Sequence, residues 1–210
     1  FTSHREIVEA MQIPGNVLKK MSTPDLVETC INYPIFGSVH LYNTPQEGIE
    51  QVVKHFNGLR ELLARKDGAA HLLKYYEKVR PDAIEDDWTP ERKGKFAADL
   101  RHVELLLAQD VFLTQLKPGD RNRLVKHAMG NLVTKFRFPD VYGSLSVNPS
   151  VLVMGRMLDK YNSKEFRKRV KDHKKMDDFL QTGHDCDNDM IDLIYFESRK
   201  SLDNGMMLVK

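Results

Sequence analysis

The sequence is poor in cysteine, in long apolar stretches and in net charge, and each shortage excludes a class of protein. Among its 210 residues only Cys30 and Cys186 carry thiols, too far apart in sequence for a CxxC redox or zinc motif. Whether they stay free or form one disulfide depends on the fold. No apolar run approaches the roughly 20 residues that cross a bilayer. A net charge of +2 argues against a protein whose whole surface binds nucleic acid.

The motifs of common catalytic sites are also missing. The chain has no GxxxxGK[ST], GxGxxG, GxSxG or HExxH pattern. None of the eight histidines has another histidine three or four residues away, the spacing that places two imidazoles on one helical face for a metal ion. The sequence therefore identifies no catalytic, cofactor-binding or metal-binding residue.

One acidic segment, residues 184–189 (HDCDND), partly matches a metal motif. Its alternating acids resemble the start of a calcium-binding loop, which needs glycine at the sixth position and glutamate at the twelfth. Met190 and Phe196 occupy these two positions. A helix that begins near Met190 is the better interpretation, with Asp187, Asn188 or Asp189 as its capping residue.

Helix signals dominate what is present. In four dipeptides a capping residue precedes a proline whose missing N–H costs nothing at the first helical position: Thr23-Pro24, Thr44-Pro45, Thr89-Pro90 and Asn148-Pro149. Apolar residues at helical spacing follow each of them. Two segments that alternate briefly, 35–42 and 141–147, are interpreted as irregular connections or short helices, because glycine and proline interrupt them.

Breaks at proline, glycine and asparagine divide the chain into about nine or ten short antiparallel helices and predict an all-α fold. Such helices form either an α-α superhelix of the HEAT or armadillo kind or a globular multi-helix bundle. Internal repeats favour a superhelix, and only a weak similarity links 17–34 with 113–136. Since no segment resembles a flexible linker, residues 1–210 are predicted to form one helical domain with a charged subregion, 163–210, packed on it.

Four stretches carry a resemblance to a known family: LVETCINYP (26–34), FNGLRELLARKDGAAHLLKYY (56–76), LLLAQDVFLTQL (105–116) and LVMGRMLDKY (152–161). Together they resemble an uncharacterised family of all-helical, HEAT- or armadillo-like proteins from Bacteroidetes, generally exported or lipid-anchored. The resemblance implies a place in the periplasm or at the cell surface, with a cytoplasmic location as the alternative. We expect any signal peptide or lipid anchor to lie upstream of Phe1. The resemblance implies no activity, since it brings no established catalytic residues.

Two of these stretches also make specific structural predictions. Residues 56–76 are typical of a helical hairpin, because glycine-containing turns divide two amphipathic halves. In the last stretch, Gly155 is expected to let another helix approach closely. The neighbouring Arg156 is expected to face solvent or to pair with an acid.

The small net charge conceals a polarised C-terminal region. Residues 164–175 contain seven basic side chains against two acids and form a candidate binding patch of Lys164, Arg167, Lys168, Arg169, Lys171, Lys174 and Lys175. Residues 177–197 contain seven acids and neither lysine nor arginine. If the two segments pack together they neutralise each other; otherwise the basic patch is suited to phosphate, anionic lipid or an acidic partner.

Three functional hypotheses remain open. The preferred one is a non-catalytic helical scaffold of the bacterial cell envelope that binds a protein, a peptide or a glycan and uses no cofactor. The second is an enzyme whose site the fold assembles from dispersed carboxylates and histidines, namely His55, His71, His102 and His127. The third is an anionic-surface or nucleic-acid binder that uses residues 164–175, with nucleic acid the less expected partner.

Overall fold

Helices form all the regular secondary structure in the described part of the chain. The computed structural model describes residues 4–34, 36–171, 173 and 175–205. These contain thirteen α-helices, one 3-10 helix at Phe36–Leu41 and no strand, so the predicted all-α class is confirmed. The α-helices are α1 (His4–Ala10), α2 (Gly15–Leu18), α3 (Thr23–Ile31), α4 (Pro45–His55), α5 (Asn57–Ala64), α6 (Gly68–Tyr76), α7 (Pro90–Leu107), α8 (Asp110–Gln115), α9 (Pro118–Lys135), α10 (Ser144–Tyr161), α11 (Ser163–Val170), α12 (Met176–Thr182) and α13 (Asn188–Asp203).

Side-chain caps begin several of these helices where the sequence predicts them. The side chains of Thr44, Thr89 and Asp187 each accept a hydrogen bond from a backbone N–H in the first turn of α4, α7 and α13. Such caps satisfy amide groups that have no partner inside the helix. At α3 the cap is Ser22, one residue earlier than predicted, and Thr23 is the first helical residue.

The prediction that α10 begins at Asn148-Pro149 is wrong. The helix begins at Ser144, which places Pro149 inside it. Proline there removes the hydrogen bond to the Leu145 carbonyl and costs about 3 kcal/mol in a helix interior. The helix persists because the residues that follow, 149–155, are all buried. Tertiary packing around this buried stretch outweighs the local propensity of its proline.

Helix α10 is the centre of the fold. It packs against α7 and α9 and also against α11, α12 and α13, so the charged C-terminal helices lie on the rest of the chain. Helix α12 also contacts α4, and α13 contacts α9. These contacts join elements that are distant in sequence, whereas each repeat of a superhelix contacts mainly its neighbours. The described helices therefore form the globular bundle of the two predicted arrangements.

The N-terminal half contains the predicted hairpin. Residues 56–76 form α5 and α6, which contact each other and both pack on α3. The helices outnumber the nine or ten predicted because very short ones, such as α2 and α8, contain too few residues for a periodic pattern. Cys30 is buried and Cys186 half-buried, and both thiols are free.

Close packing of α10 confirms the role predicted for Gly155 and corrects that of Arg156. A Cβ atom at Gly155 would lie 2.7 Å from Leu180 Cδ2, so α12 packs directly on the backbone of α10. The Arg156 guanidinium neither faces solvent nor pairs with a described acid. It donates to the carbonyls of Leu180 and Gln181, both at 2.7 Å, and of Ala108 at 3.0 Å. It thereby satisfies carbonyls at the ends of α7 and α12 that lack helical partners.

Candidate functional site

A cavity of about 300 Å³ lies where five segments of the chain meet. The 3-10 helix contributes His40, α7 contributes Arg101, and the connection between α12 and α13 contributes His184 and Cys186. The first turns of α4 and α10 complete the wall. We call this space the Arg101 cavity. Its volume falls at the lower end of the range typical of small-molecule sites.

Arg101 gives the cavity a fixed positive charge. The residue is half-buried, and its Nε is shielded from solvent without a hydrogen-bond partner among the described residues. Burial lowers the pKa of Arg101, but an arginine remains charged at neutral pH. Because charges removed from water are normally paired, the guanidinium lacks the counter-ion that such a position calls for.

His40 lines the cavity beside Arg101, and the buried His102 lies behind it. The rings of His40 and His102 lie nearly parallel, with centroids 5.9 Å apart. Burial, and secondarily the charge of Arg101, lowers the pKa of His40 to about 4. Burial is also the main cause that lowers the pKa of His102 to about 3. Both imidazoles are therefore neutral at pH 7, and a neutral imidazole can donate one hydrogen bond and accept another.

The connection between α12 and α13 forms the rim. Burial, followed by the charge of Asp187, raises the pKa of the Cys186 thiol to about 12, so the sulfur stays protonated. A protonated thiol is neither a good nucleophile nor a metal ligand. On the same rim, Asp185 Oδ1 lies 3.0 Å from His184 Nδ1. Asp185 has a φ of 55°, a left-handed conformation that aspartate adopts more readily than most residues.

The start of α10 adds backbone groups to the cavity. Ser144 and Leu145 line it and belong to the first helical turn, where N–H groups lack intrahelical partners. The positive end of the helix dipole lies at the same place. Pro149 also lines the cavity, and because it cannot donate, it leaves the Leu145 carbonyl without its usual i+4 donor. Arg101 and this helix start make the wall electropositive, and the rim carboxylate of Asp185 opposes them.

The four histidines of the enzyme hypothesis are not brought together. His55, His71 and His127 line three different surface cavities. His71 Nε2 lies 3.5 Å from a carboxylate oxygen of Asp67. His102 is the buried ring behind His40. The histidines that meet in the fold are thus partly different from those the sequence suggested.

The acidic C-terminal helices neutralise the arginines of the predicted basic patch. Arg167 forms ion pairs with Asp159 of α10 and Asp177 of α12. Arg169 Nε lies 3.7 Å from Glu197 Oε1 of α13. The predicted neutralisation of the basic segment by the acidic one therefore applies to its arginines.

The lysines of the patch are arranged differently. Within the described chain, no carboxylate lies within ion-pair distance of the four exposed ones, Lys164, Lys168, Lys171 and Lys175. Lys174 lies outside the described residues. Phe166 and Val170 are buried and attach α11 to the bundle. Among the described residues, the basic side chains of the patch without an ion pair are thus lysines, whereas the arginines are exposed but paired.

Sequence reasoning missed the Arg101 cavity because its residues come from five separate segments. Arg101 has the same local pattern as any exposed charge on a helix, and His40 lies in a segment interpreted as an irregular connection or a short helix. Local signals do fall on the wall but are interpreted otherwise: segment 184–189 is considered as a metal motif, and Pro149 as the start of a helix.

Among protein-family models, curated proteins and solved structures, none matches the chain. The resemblance to exported Bacteroidetes proteins therefore stays a prediction. In the part of the chain that the structure describes, no three His, Cys, Asp or Glu side chains are grouped to hold a metal ion. No helix in that part is both long and apolar enough to cross a membrane.

Proposed function

We propose that this protein is a non-catalytic helical binding protein that holds a small molecule in the Arg101 cavity. The observation that carries the proposal is the cavity itself, about 300 Å³ in volume, with the half-buried Arg101 in its wall, whose Nε has no hydrogen-bond acceptor among the described residues. Small-molecule sites typically combine an apolar wall with a few polar groups that converge from different elements. The Arg101 cavity has this composition.

The protonation states of His40 and Cys186 support binding over catalysis by these two groups. A general base works best when its pKa lies near the working pH, and the pKa of His40 is about 4. A nucleophilic cysteine needs a thiolate, and the pKa of Cys186 is about 12. The same groups are well suited to hold a molecule, because a guanidinium, a neutral imidazole and a thiol all form hydrogen bonds.

The proposed setting is the bacterial cell envelope, in the periplasm or at the cell surface, and it follows from the family resemblance. A protein, a peptide or a glycan remains a candidate partner for the same reason. Long concave surfaces that bind such chains are built by stacked repeats. Since the described helices form a globular bundle, a small molecule is the better candidate for the occupant of the Arg101 cavity.

A binding experiment with a variant that blocks the cavity tests this proposal. The purified protein is incubated with the small-molecule fraction of a bacterial extract and separated from it by gel filtration. Mass spectrometry then identifies what is released on denaturation. We expect one or a few compounds to be retained in stoichiometric amounts and recovered chemically unchanged. Leu145→Trp, which adds bulk at the cavity wall, should abolish their retention.

The matched control is Leu41→Trp, because Leu41 is 84% exposed and does not line the cavity. It should retain the same compounds as the wild type. Catalytic depletion of a compound would contradict a non-catalytic role and favour the enzyme hypothesis. Equal retention by Leu145→Trp and the wild type would show that the Arg101 cavity is not the site.

A second candidate function, binding to an anionic surface, is favoured by the exposed lysines of α11. Lys164, Lys168 and Lys171 follow at i, i+4 and i+7, which places them on one side of the helix, and all three are exposed. Phe166 and Val170 anchor the opposite side. Basic side chains that point away from a docked helix are suited to phosphates of lipid or nucleic acid.

Charge reversal separates this function from nonspecific attraction. Changing these three lysines to Glu should abolish salt-sensitive retention on heparin and on phosphatidylserine vesicles. The control changes three exposed lysines elsewhere, Lys54, Lys78 and Lys126, to Glu. If both triple variants lose retention equally, net charge alone is responsible and α11 is not a specific surface.

A further inference from the structure

We infer that the Arg101 cavity binds an anionic group, the carboxylate or phosphate of a small molecule, whose oxygens accept hydrogen bonds from the Arg101 guanidinium. This inference rests on the proposed function and adds the chemical class of the ligand. It depends on three observations. The first is the lack of a hydrogen-bond acceptor for Arg101 Nε, compared with other shielded arginines. The second is the set of donors around Arg101, and the third is the position of the one acid in the wall.

Arg101 differs from the other arginines that the fold shields from water. Arg121 is 8% exposed, and its Nε donates to the Leu116 carbonyl at 3.0 Å. Arg156 donates to three carbonyls and a glutamine side chain. Arg101 Nε has no acceptor among the described residues. Of these three arginines, Arg101 is the one whose Nε is left without an acceptor, and it lines a cavity.

The groups around Arg101 can complete a site for oxyanions. The first-turn amides of α10 and the Ser144 hydroxyl lie in the same wall, and both are donors that carboxylates and phosphates accept from. His40 adds a neutral imidazole that can donate one hydrogen bond. A guanidinium fork fits the two oxygens of a carboxylate or phosphate better than any other ligand group.

The charge of the wall argues against other ligand classes. Asp185 is the one carboxylate among the residues that line the cavity. It is paired with His184 at 3.0 Å, and its side chain is 68% exposed at the rim. A cation inside would face Arg101 without an internal counter-charge, and an uncharged ligand would leave the guanidinium unpaired. An anion removes the desolvation cost of Arg101.

Titration with simple ions tests the inference on the intact protein. Sodium phosphate, sodium acetate, sodium chloride and uncharged acetamide are added at constant ionic strength and pH 7. Binding is followed by the imidazole resonances of His40 and His184. We expect saturable shifts with phosphate or acetate and none with acetamide or chloride. Tighter binding of phosphate assigns a phosphate group to the ligand, and tighter binding of acetate assigns a carboxylate.

Three variants test whether Arg101 is the group that binds the anion. Arg101→Gln should weaken binding of the preferred ion at least tenfold, Arg101→Lys should weaken it less, and Arg199→Gln should leave it unchanged, because Arg199 is an exposed arginine on α13. In the absence of added anions, Arg101→Gln should have a midpoint of thermal unfolding equal to or above that of the wild type. An arginine needed only to hold the fold would lower that midpoint on removal.

The inference fails if acetamide binds as tightly as acetate, or if Arg101→Gln and the wild type have equal anion affinity. Absence of any saturable shift would overturn it as well. The proposed function fails separately, through the extract experiment. If that experiment recovers an uncharged compound that Leu145→Trp no longer retains, the protein is a binding protein and the assignment of an anionic ligand is wrong.

Discussion

Lys135 and Glu104 form an ion pair in the centre of the bundle, with Nζ 2.6 Å from Oε2 and both side chains 0% exposed. Tyr76 and Ser150 donate to the other oxygen of Glu104, both at 2.7 Å. Burial lowers the pKa of Lys135, and the charge of Glu104 opposes this shift. The pair joins α7, α9 and α10, and its stability depends on every polar atom having a partner.

Removing one member of this pair should destabilise the protein strongly. Lys135→Met leaves the Glu104 carboxylate buried and unpaired, which typically costs about 3–5 kcal/mol. We expect the free energy of unfolding, measured by urea denaturation at pH 7, to fall by about this amount. Lys126→Met on the same helix should change it little, since Lys126 is exposed.

The double variant distinguishes charge burial from loss of packing. Glu104→Leu combined with Lys135→Met removes both charges, and replacing a buried pair by apolar groups is often close to neutral. We expect it to be more stable than Lys135→Met alone. A double variant that loses the sum of the two single effects would show that the two residues act independently.

Glu104 and Lys135 also show which features of the fold can be predicted from the sequence and which cannot. Local patterns predict α7 and its cap at Thr89, because capping and apolar spacing act within a few residues. The partner of Glu104 lies 31 residues away, and no local signal connects them. The Arg101 cavity is hidden for the same reason, since it forms only when α7, α10 and three further segments meet. At Pro149 the sequence predicts the start of a helix, and this prediction is wrong because tertiary packing overrides the local preference of proline.

A second prediction concerns the contact that holds the 3-10 helix on α4. A Cβ atom at Gly48 would lie 2.7 Å from the Cα atom of Val39, so the two backbones touch. Gly48→Ala must separate them, and we expect the free energy of unfolding to fall by about 1–3 kcal/mol. Because the 3-10 helix carries His40, binding in the Arg101 cavity should weaken as well. Urea denaturation and the ion titration measure the two effects.

Gly130→Ala is the matched control for this change. Gly130 lies inside α9, and a Cβ placed there meets nothing within 4 Å beyond its chain neighbours and the nearby backbone of its own helix. Alanine is favoured over glycine in a helix interior by about 1 kcal/mol, so this variant should be neutral or more stable. If Gly48→Ala were equally well tolerated, the backbone contact between Gly48 and Val39 would not exist in solution.

A third prediction concerns Arg156, which links the ends of α7 and α12 to α10. Lysine at this position keeps the charge but cannot reproduce the planar set of donors. Arg156→Lys therefore leaves buried carbonyls without partners, at a cost of about 1–3 kcal/mol each. We expect a lower midpoint of thermal unfolding, with the exposed Arg199→Lys as the neutral control. Equal midpoints would mean that water replaces the lost hydrogen bonds.

The last prediction concerns the acid stability of the protein, and it follows from His102. Burial lowers the pKa of His102 from 6.5 to about 3 in the folded protein. Between these values the unfolded chain binds a proton that the folded protein does not. The free energy of unfolding therefore decreases as the pH falls from about 6.5 towards 3, and the full contribution of the neutral imidazole is present above pH 6.5. Near pH 5 the slope from one such histidine approaches about 1.4 kcal/mol per pH unit.

His102→Leu tests this prediction, because leucine occupies the same apolar position without a titrating group. Urea denaturation at pH 7.0, 6.0 and 5.0 should give a steeper loss of stability for the wild type than for the variant. The difference between pH 6 and pH 5 should be about 1 kcal/mol. Adding His40→Leu should flatten the profile further, since the pKa of His40 is lowered to about 4. Parallel profiles for the wild type and both variants would mean that the two imidazoles take up protons in the folded state as easily as in the unfolded chain.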